Sequence, residues 1–330
     1  MKRLGKIDRD LLEKIVFRRL GYKRRDVVVP PRFGEDAAVV RSGGRLLAVA
    51  MDPITGASEL AGWLSVHVNA NDVAVMGAEP KWFSSTILLP EDRLDDLDRI
   101  TRDIHRACRE LRVALVTGHT EISPGISRPI IIGHMVGELV SGKPITSSGA
   151  RPGDLLVMSK TAGIEGTAIL ASDFRGLLSG RVPDEVLARA EEFYRRMSVV
   201  NEALRLARSG LARAMHDPTE GGLIGGAYEL AEASSCSFII YEEAVPIARE
   251  TRLICDALGC DPLKLISSGV LLAAIPRSLA GRLGRMPGFK VIGELRARRE
   301  GNVVVRRDGL EERVRGPVLD ELWRLFMERS

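Results

Sequence analysis

The chain has 330 residues, with 48 lysines and arginines against 44 aspartates and glutamates, a net charge of +4, and 45% hydrophobic and 28% charged residues. That length exceeds what one hydrophobic core usually fills, so two domains are expected, and the balance excludes a disordered chain. Charge this evenly mixed, with aromatics at only 5%, excludes a nucleic-acid footprint, and no apolar run is long enough to span a bilayer.

Taken in chain order, the basic start from Lys2 to Lys14 carries Leu4, Ile7, Leu11 and Ile15 at helical spacing and is expected as an amphipathic helix packed on the body. Leu46 to Met51 reads as a buried strand that delivers Asp52 at its end. A turn at Gly56 follows, then a helix from Trp63 to Met76 closed by Gly77 and Pro80, with Asn71 and Asp72 inside it. Next come a strand at Phe83 to Leu89 and a helix from Asp92 to Leu111 with one apolar stripe. Two strands, Val113 to Thr117 and Ile130 to Leu139, flank a polar loop from Gly118 to Arg128 that holds His119, Thr120 and Glu121.

The Gly-, Pro- and Ser-rich stretch from Gly142 to Asp154 reads as the linker, giving an N-terminal domain over 1–147 and a C-terminal domain over 148–330. Beyond it the pattern predicts strands at Leu155 to Ser159, Ser237 to Tyr241, Val270 to Ile275, Val291 to Leu295 and Val303 to Val305. Helices are predicted near Gly166 to Ser172, over Pro183 to Arg208 and Gly221 to Ser234, and at Val318 to Met327. This is a mixed α+β second half.

Acidic and polar groups cluster in the first half: Gly34-Glu35-Asp36-Ala37-Ala38, Asp52, Asn71-Asp72 and His119-Thr120-Glu121. By itself Asp36 reads as a turn or cap residue. Asp72, set among Val66, Val68, Val73 and Val75, needs partners to be worth burying. Carboxylates brought together repel by roughly 4 kcal/mol at 4 Å and an effective dielectric near 20, which a hard divalent cation relieves. Magnesium, which keeps waters and takes phosphate oxygens, suits one or two such carboxylates and a nucleotide triphosphate.

In the second half Asp217-Pro218-Thr219-Glu220-Gly221-Gly222 opens a helix with backbone N–H groups suited to an anion, and Gly163 and Gly166 offer the same before Thr167. Lys160 stands beside that turn, within reach of a phosphate or simply solvated. The near-Walker stretch from Gly137 to Pro144 has proline where a magnesium-binding hydroxyl belongs, and there is no Gly-x-Gly-x-x-Gly. His67, His105, His134 and His216 show no ligand spacing and read as structural or exposed. Cys108, Cys236, Cys255 and Cys260 form neither a Cys-x-x-Cys pair nor a zinc spacing, and read as small buried apolar residues of a cytoplasmic protein.

In order, Gly34-Glu35-Asp36-Ala37-Ala38, Asn71-Asp72 through Met76-Gly77-Ala78-Glu79-Pro80, and Asp217-Pro218-Thr219-Glu220-Gly221-Gly222 resemble the aminoimidazole ribonucleotide synthetase (PurM) superfamily, which includes thiamine monophosphate kinase and HypE. Ser148 through Asp154 and Ala231 through Pro262 resemble the HypE branch. The resemblance implies a two-domain PurM-like fold. Its N-terminal α/β domain pairs its sheet with that of a second subunit, its C-terminal domain is α+β, and ATP lies between them. It also implies Mg²⁺ on Asp36, Asp52 and Asp72, with Asp36, Asn71, Thr120, Lys160, Gly163, Gly166, Asp217, Thr219, Gly221 and Gly222 around the nucleotide.

HypE uses ATP to dehydrate a thiocarboxamide on its C-terminal cysteine to a thiocyanate, the cyanide source of NiFe hydrogenase. This sequence departs from the HypE pattern at Gly118-His119-Thr120-Glu121, in place of Gly-Asp-Thr-Lys, and at Ser267-Ser268-Gly269, in place of Asn-Glu-Gly. It ends Glu328-Arg329-Ser330 with no cysteine after Cys260, so the expectation is a thiol carried by a maturation partner. His119 and Glu121 are the expected catalytic pair. A small-molecule kinase of the thiamine monophosphate type, and a nucleotide-binding scaffold without chemistry, stand as the other readings.

Overall fold

A computed structural model describes residues 7, 9–55 and 60–329. Leu4 and Gly56, each given a place above, lie outside these residues. The described chain divides into two compact units, Tyr22–Pro31 with Asp36–Pro144, and the described parts of Met1–Gly21, Arg32–Glu35 and Ile145–Ser330.

Helix α1 (Arg9–Leu11) widens into a π turn, Leu12–Val16. The expected packing of its apolar stripe is not found, because Ile7, Leu11 and Ile15 are 59%, 46% and 45% exposed. It is held by polar contacts within its own unit: Arg9 pairs with Glu232 at 3.1 Å and lies over the Phe33 ring.

The first unit is a six-stranded sheet, β1 (Val27–Val29), β2 (Ala38–Ser42), β3 (Arg45–Ile54), β4 (Ala78–Leu89), β5 (Ala114–Ile122) and β6 (Ile130–Leu139), in the order β1-β2-β3-β6-β4-β5. β4 and β5 run parallel, as the crossover through a helix requires, and the other neighbours run antiparallel. Helix α2 (Ala61–Val75) packs on β3, β4 and β6 and against α3 (Asp96–Leu111), which turns Ile100, Ile104, Ala107 and Cys108 inward. On β3, Leu46, Ala48 and Ala50 face the helices.

Two glycines of β6 permit that approach. A Cβ at Gly133 would come 2.4 Å from Asn69 Nδ2, and one at Gly137 would come 2.3 Å from Val73 Cγ1. The loop expected from Gly118 is not a loop at its start. β5 continues through Ile122, with His119, Thr120 and Glu121 paired in register with Thr86, Ile87 and Leu88. Backbone pairing to β4 overrode the polarity that suggested irregular chain.

The second unit holds β7 (Leu155–Ser159), β8 (Ala214–His216), β9 (Cys236–Tyr241), β10 (Leu272–Ile275), β11 (Phe289–Ala297), β12 (Asn302–Val305) and β13 (Glu311–Val314), ordered β13-β12-β9-β11-β7-β10-β8. Its helices are α4 (Ile164–Asp173), α5 (Arg175–Leu178), α6 (Asp184–Glu191), α7 (Val200–Ser209), α8 (Gly222–Ala233), α9 (Arg249–Leu258), α10 (Ala280–Leu283) and α11 (Glu321–Arg329). Leu170, Val186, Leu187, Ile254, Leu322 and Leu325 share one core. Mixed sheets with helices in both units are the α/β and α+β architecture expected from the sequence.

The single helix expected over Pro183 to Arg208 is broken between α6 and α7 by a 3₁₀ segment, Glu192–Arg196. Lys160 Nζ accounts for the break. It donates to the carbonyls of Arg196 and Ser198, acceptors that a continuous helix would use itself.

Candidate functional site

Helix α2 is buried on nearly every side, yet it carries Asn69, Asn71 and Asp72. Polar groups persist in such a helix only when satisfied. Asn69 accepts from the Asp52 N–H at 2.8 Å and donates to the carbonyls of Asp52 and Ser65, which clamps α2 to β3 at Asp52. Asp72 follows one helical turn later on the same face, only 7% exposed. Asp36 lies two residues before β2, whose Ala38 pairs with Val49 of β3, three residues before Asp52.

Asp36, Asp52 and Asp72 therefore belong to one unit and to contiguous elements. Their donor set is all oxygen, hard and anionic, the type magnesium takes, although among the described residues the three are not a group whose ligand atoms all lie within 4.8 Å of one another. The glycine motif itself is divided. Gly34 and Glu35 pack in the second unit, where the backbone of Gly34 (φ 79°) leaves room for a Cβ only 3.1 Å from that of Ala233, and Glu35 accepts the Ser147 N–H.

His119 and Glu121 form a pair, Nε2 to Oε2 at 3.0 Å, on one face of β5. Alternation puts Thr120 on the other face, where it lines a shallow groove with Leu94, Leu97 and Asp98. The register runs Asp52, Gly133, Ser85, Gly118 across four strands. His119 is thus three strands from Asp52, roughly 14 Å, and points to the opposite face. The structure does not bring the expected catalytic pair to the carboxylates of its own chain.

In the second unit the backbone groups expected to meet an anion have partners from the protein. Gly221 N–H donates to Asp320 Oδ2 at 2.7 Å, Gly222 N–H to the Thr219 carbonyl at 3.1 Å, and Ile224 N–H to the Leu263 carbonyl. The helix N-terminus does attract a carboxylate, but it is the one at Asp320. Gly163 N–H donates to Ser267 Oγ and Gly166 N–H to the Ile266 carbonyl. Gly166 is a packing glycine, since a Cβ there would lie 2.3 Å from Leu265 Cγ.

Lys160 likewise departs from the expected phosphate contact. With φ at 53°, it donates to the carbonyls of Arg196, Ser198 and Gly269 and lies 3.4 Å from Glu202. Burial pulls its ammonium below the usual lysine range, with Glu202 opposing.

Among the other histidines, His216 is buried against Glu229 at 3.0 Å, and His67 stacks on Trp63. The near-Walker stretch ends β6, and a 3₁₀ turn, Ser147–Gly149, follows it where a phosphate loop requires a helix. Asp217 is buried directly ahead of the glycine pair.

Sequence reading missed three participants. Asn69 had a usable signal, one helical turn before Asp72. Glu165, at the start of α4, hydrogen-bonds Ser268 and keeps Oε2 buried without a partner, and burial pushes its carboxyl up. Asp320 accepts from the N–H groups of Gly221 and Leu322, and burial pushes it up to about 7. Nothing in local pattern connects residue 320 with residue 221.

Among the described residues no helix is long and apolar enough to cross a membrane. Residues 34–139 match the N-terminal domain, and residues 151–306 the C-terminal domain, of AIR synthase related protein. A protein of Methanocaldococcus jannaschii named for hydrogenase expression and formation is 30% identical over 284 residues, covering 84% of this chain and 82% of its own. Carbamoyl dehydratase HypE of Cupriavidus necator is 32% identical over 247 residues, covering 74% and 67%. The crystal structure of hydrogenase maturation protein HypE in complex with ATP is 25% identical, with a TM-score of 0.73 and 97% of each chain covered.

Proposed function

The chain belongs to the AIR synthase related protein family, and on that premise we propose that it is an ATP-dependent enzyme of hydrogenase maturation that dehydrates a carbamoyl-type group. The observation that carries the reading is the clamp of α2 on β3, which sets the buried Asp72 one turn from the contact with Asp52. The likeness to HypE solved with ATP supports the nucleotide.

In this chemistry the amide oxygen attacks the γ-phosphorus of ATP and ADP leaves. Loss of the phosphorylated oxygen as phosphate, with both amide protons, then leaves a nitrile. Asp36, Asp52 and Asp72 would hold magnesium, which neutralises charge that develops on the phosphate oxygens. The chain's own part is to position: Asn69 fixes the strand end, and the glycines of β6 let α2 approach it. His119 and Glu121 lie apart from that set and are assigned instead to the sheet edge.

That edge supports a homodimer. All nine residues of β5 are exposed, including Leu115, Val116 and Ile122, and its outer backbone groups offer a ladder to another strand. A second copy is the occupant we propose.

Titration calorimetry with a non-hydrolysable ATP analogue, with and without Mg²⁺, tests the assignment. Binding should need the metal, and Asp72→Asn should weaken it at least about tenfold, or 1.4 kcal/mol. Unchanged affinity in Asp72→Asn would remove Asp72 from the metal set. Carbamoyl-dependent release of phosphate supports dehydration, whereas a stable phosphorylated small molecule as product would mark a kinase.

A further inference from the structure

The four cysteines read as inert from sequence, and Cys108 and Cys236 are indeed buried as separate free thiols. Cys255 and Cys260 differ. Helix α9 ends at Leu258, and Gly259 follows in the left-handed conformation (φ 65°) with its N–H on the Cys255 carbonyl. The N–H of Cys260 reaches the same carbonyl at 3.0 Å. This is the helix termination in which the second residue past the cap folds back over the last turn, and a side-chain contact between those two positions accompanies it. Here both positions are cysteine, so the termination brings their side chains to the same end of α9.

The pair is asymmetric. Cys255 is 1% exposed and sits in the core formed with Leu170, Ile254 and Leu322, whereas Cys260 is half-buried at its margin. The contact with Cys260, then burial, holds the Cys255 thiol well above its ordinary range, so the partly accessible Cys260 is the sulfur that meets a reagent first.

We infer that Cys255 and Cys260 form a redox-active dithiol, a modification site that a small-molecule disulfide converts to an intramolecular disulfide. The Cys260 thiolate attacks one sulfur of the reagent and expels a thiolate, giving a mixed disulfide. Cys255 gives up its proton and attacks the Cys260 sulfur, expelling the second thiolate. Two protein thiols are oxidised, one reagent disulfide is reduced to two thiols, and the protein loses two hydrogen atoms.

The site borders the segment that shapes the glycine loops. Asp261 pairs with Arg306 at 2.6 Å, and the Leu263 carbonyl accepts from Ile224 N–H in the first turn of α8. Cys260 lies between α9 and the chain at Leu263 and Leu265 that packs against Gly166 and Gly222.

The test treats the reduced, folded full-length protein with oxidised glutathione, then measures intact mass, free thiols after unfolding and the peptide linkage. Free thiols should halve from four to two, with Cys255 joined to Cys260 and no glutathione adduct retained. Cys255→Ala should stop at a stable adduct on Cys260, and Cys260→Ser should keep all three of its thiols. Circular dichroism melts establish that both variants are folded. A lasting adduct on wild-type Cys260, four surviving thiols, or linkage of any other pair would overturn the inference.

Discussion

Replacing Asp320 with asparagine should make folding stability less sensitive to pH. Burial raises this carboxyl from the ordinary 3.8 to about 7, against three backbone N–H groups that favour its charged form. Between those values the folded protein retains a proton that the unfolded chain has released. Stability from this group is whole below the unfolded value and is lost as pH rises through about 7. The full span corresponds to about 4 kcal/mol, and about 2 kcal/mol of it falls between roughly pH 5.5 and 7.5.

Asparagine keeps the size, loses one acceptor and cannot titrate, so Asp320→Asn carries a constant cost of about 1–2 kcal/mol at every pH. Urea unfolding of both proteins at the two pH values isolates the pH-dependent part, because titrating groups that do not interact with Asp320 cancel in the difference and only its neighbour Glu165 is coupled to it. Relative to wild type, the variant should gain about 2 kcal/mol on going from the lower to the higher pH. A difference that stays the same at both would mean that the N–H groups of Gly221, Leu322 and Ile266 outweigh burial and that Asp320 is charged throughout.

Three further outcomes follow from contacts already described. Gly133→Ala drives a methyl against Asn69 and the Ser65 carbonyl, and should cost roughly 1–3 kcal/mol in denaturant melts while weakening Mg²⁺-dependent nucleotide binding; unchanged stability would mean that α2 shifts freely. Lys160→Met strands three carbonyls and should lower stability by roughly 2–4 kcal/mol with nucleotide affinity intact; a selective loss of affinity would restore Lys160 to the nucleotide site. Leu115→Arg places a charge on the exposed edge strand and should give a monomer in light scattering where the wild type is a dimer; a wild-type monomer would refute the dimer itself.

The local elements were largely legible because their causes are local. Alternating and continuous apolar runs specify β6 and β7 to the residue, and the stripe from Ile100 to Ala107 specifies α3. The motifs around Asp36, Asp72 and Asp217 indicated the family because each is a short, continuous requirement for turns and carboxylates. What sequence by itself determined was therefore the alphabet of the fold and the residues worth watching.

Tertiary structure decided how those residues are used. The N–H groups of Gly163, Gly166 and Gly221 suggest an anion site from sequence, but Ser267, Ile266 and Asp320 accept from them, and these partners approach from 99 to 104 residues away. Lys160 broke a helix that periodicity favoured, because its ammonium captured the carbonyls at 196 and 198. Pairing with β4 turned His119 and Glu121 from a loop into a strand edge far from Asp52. Each reversal has one physical reason: hydrogen-bonding capacity is a property of a residue, whereas the partner that satisfies it is a property of the folded chain.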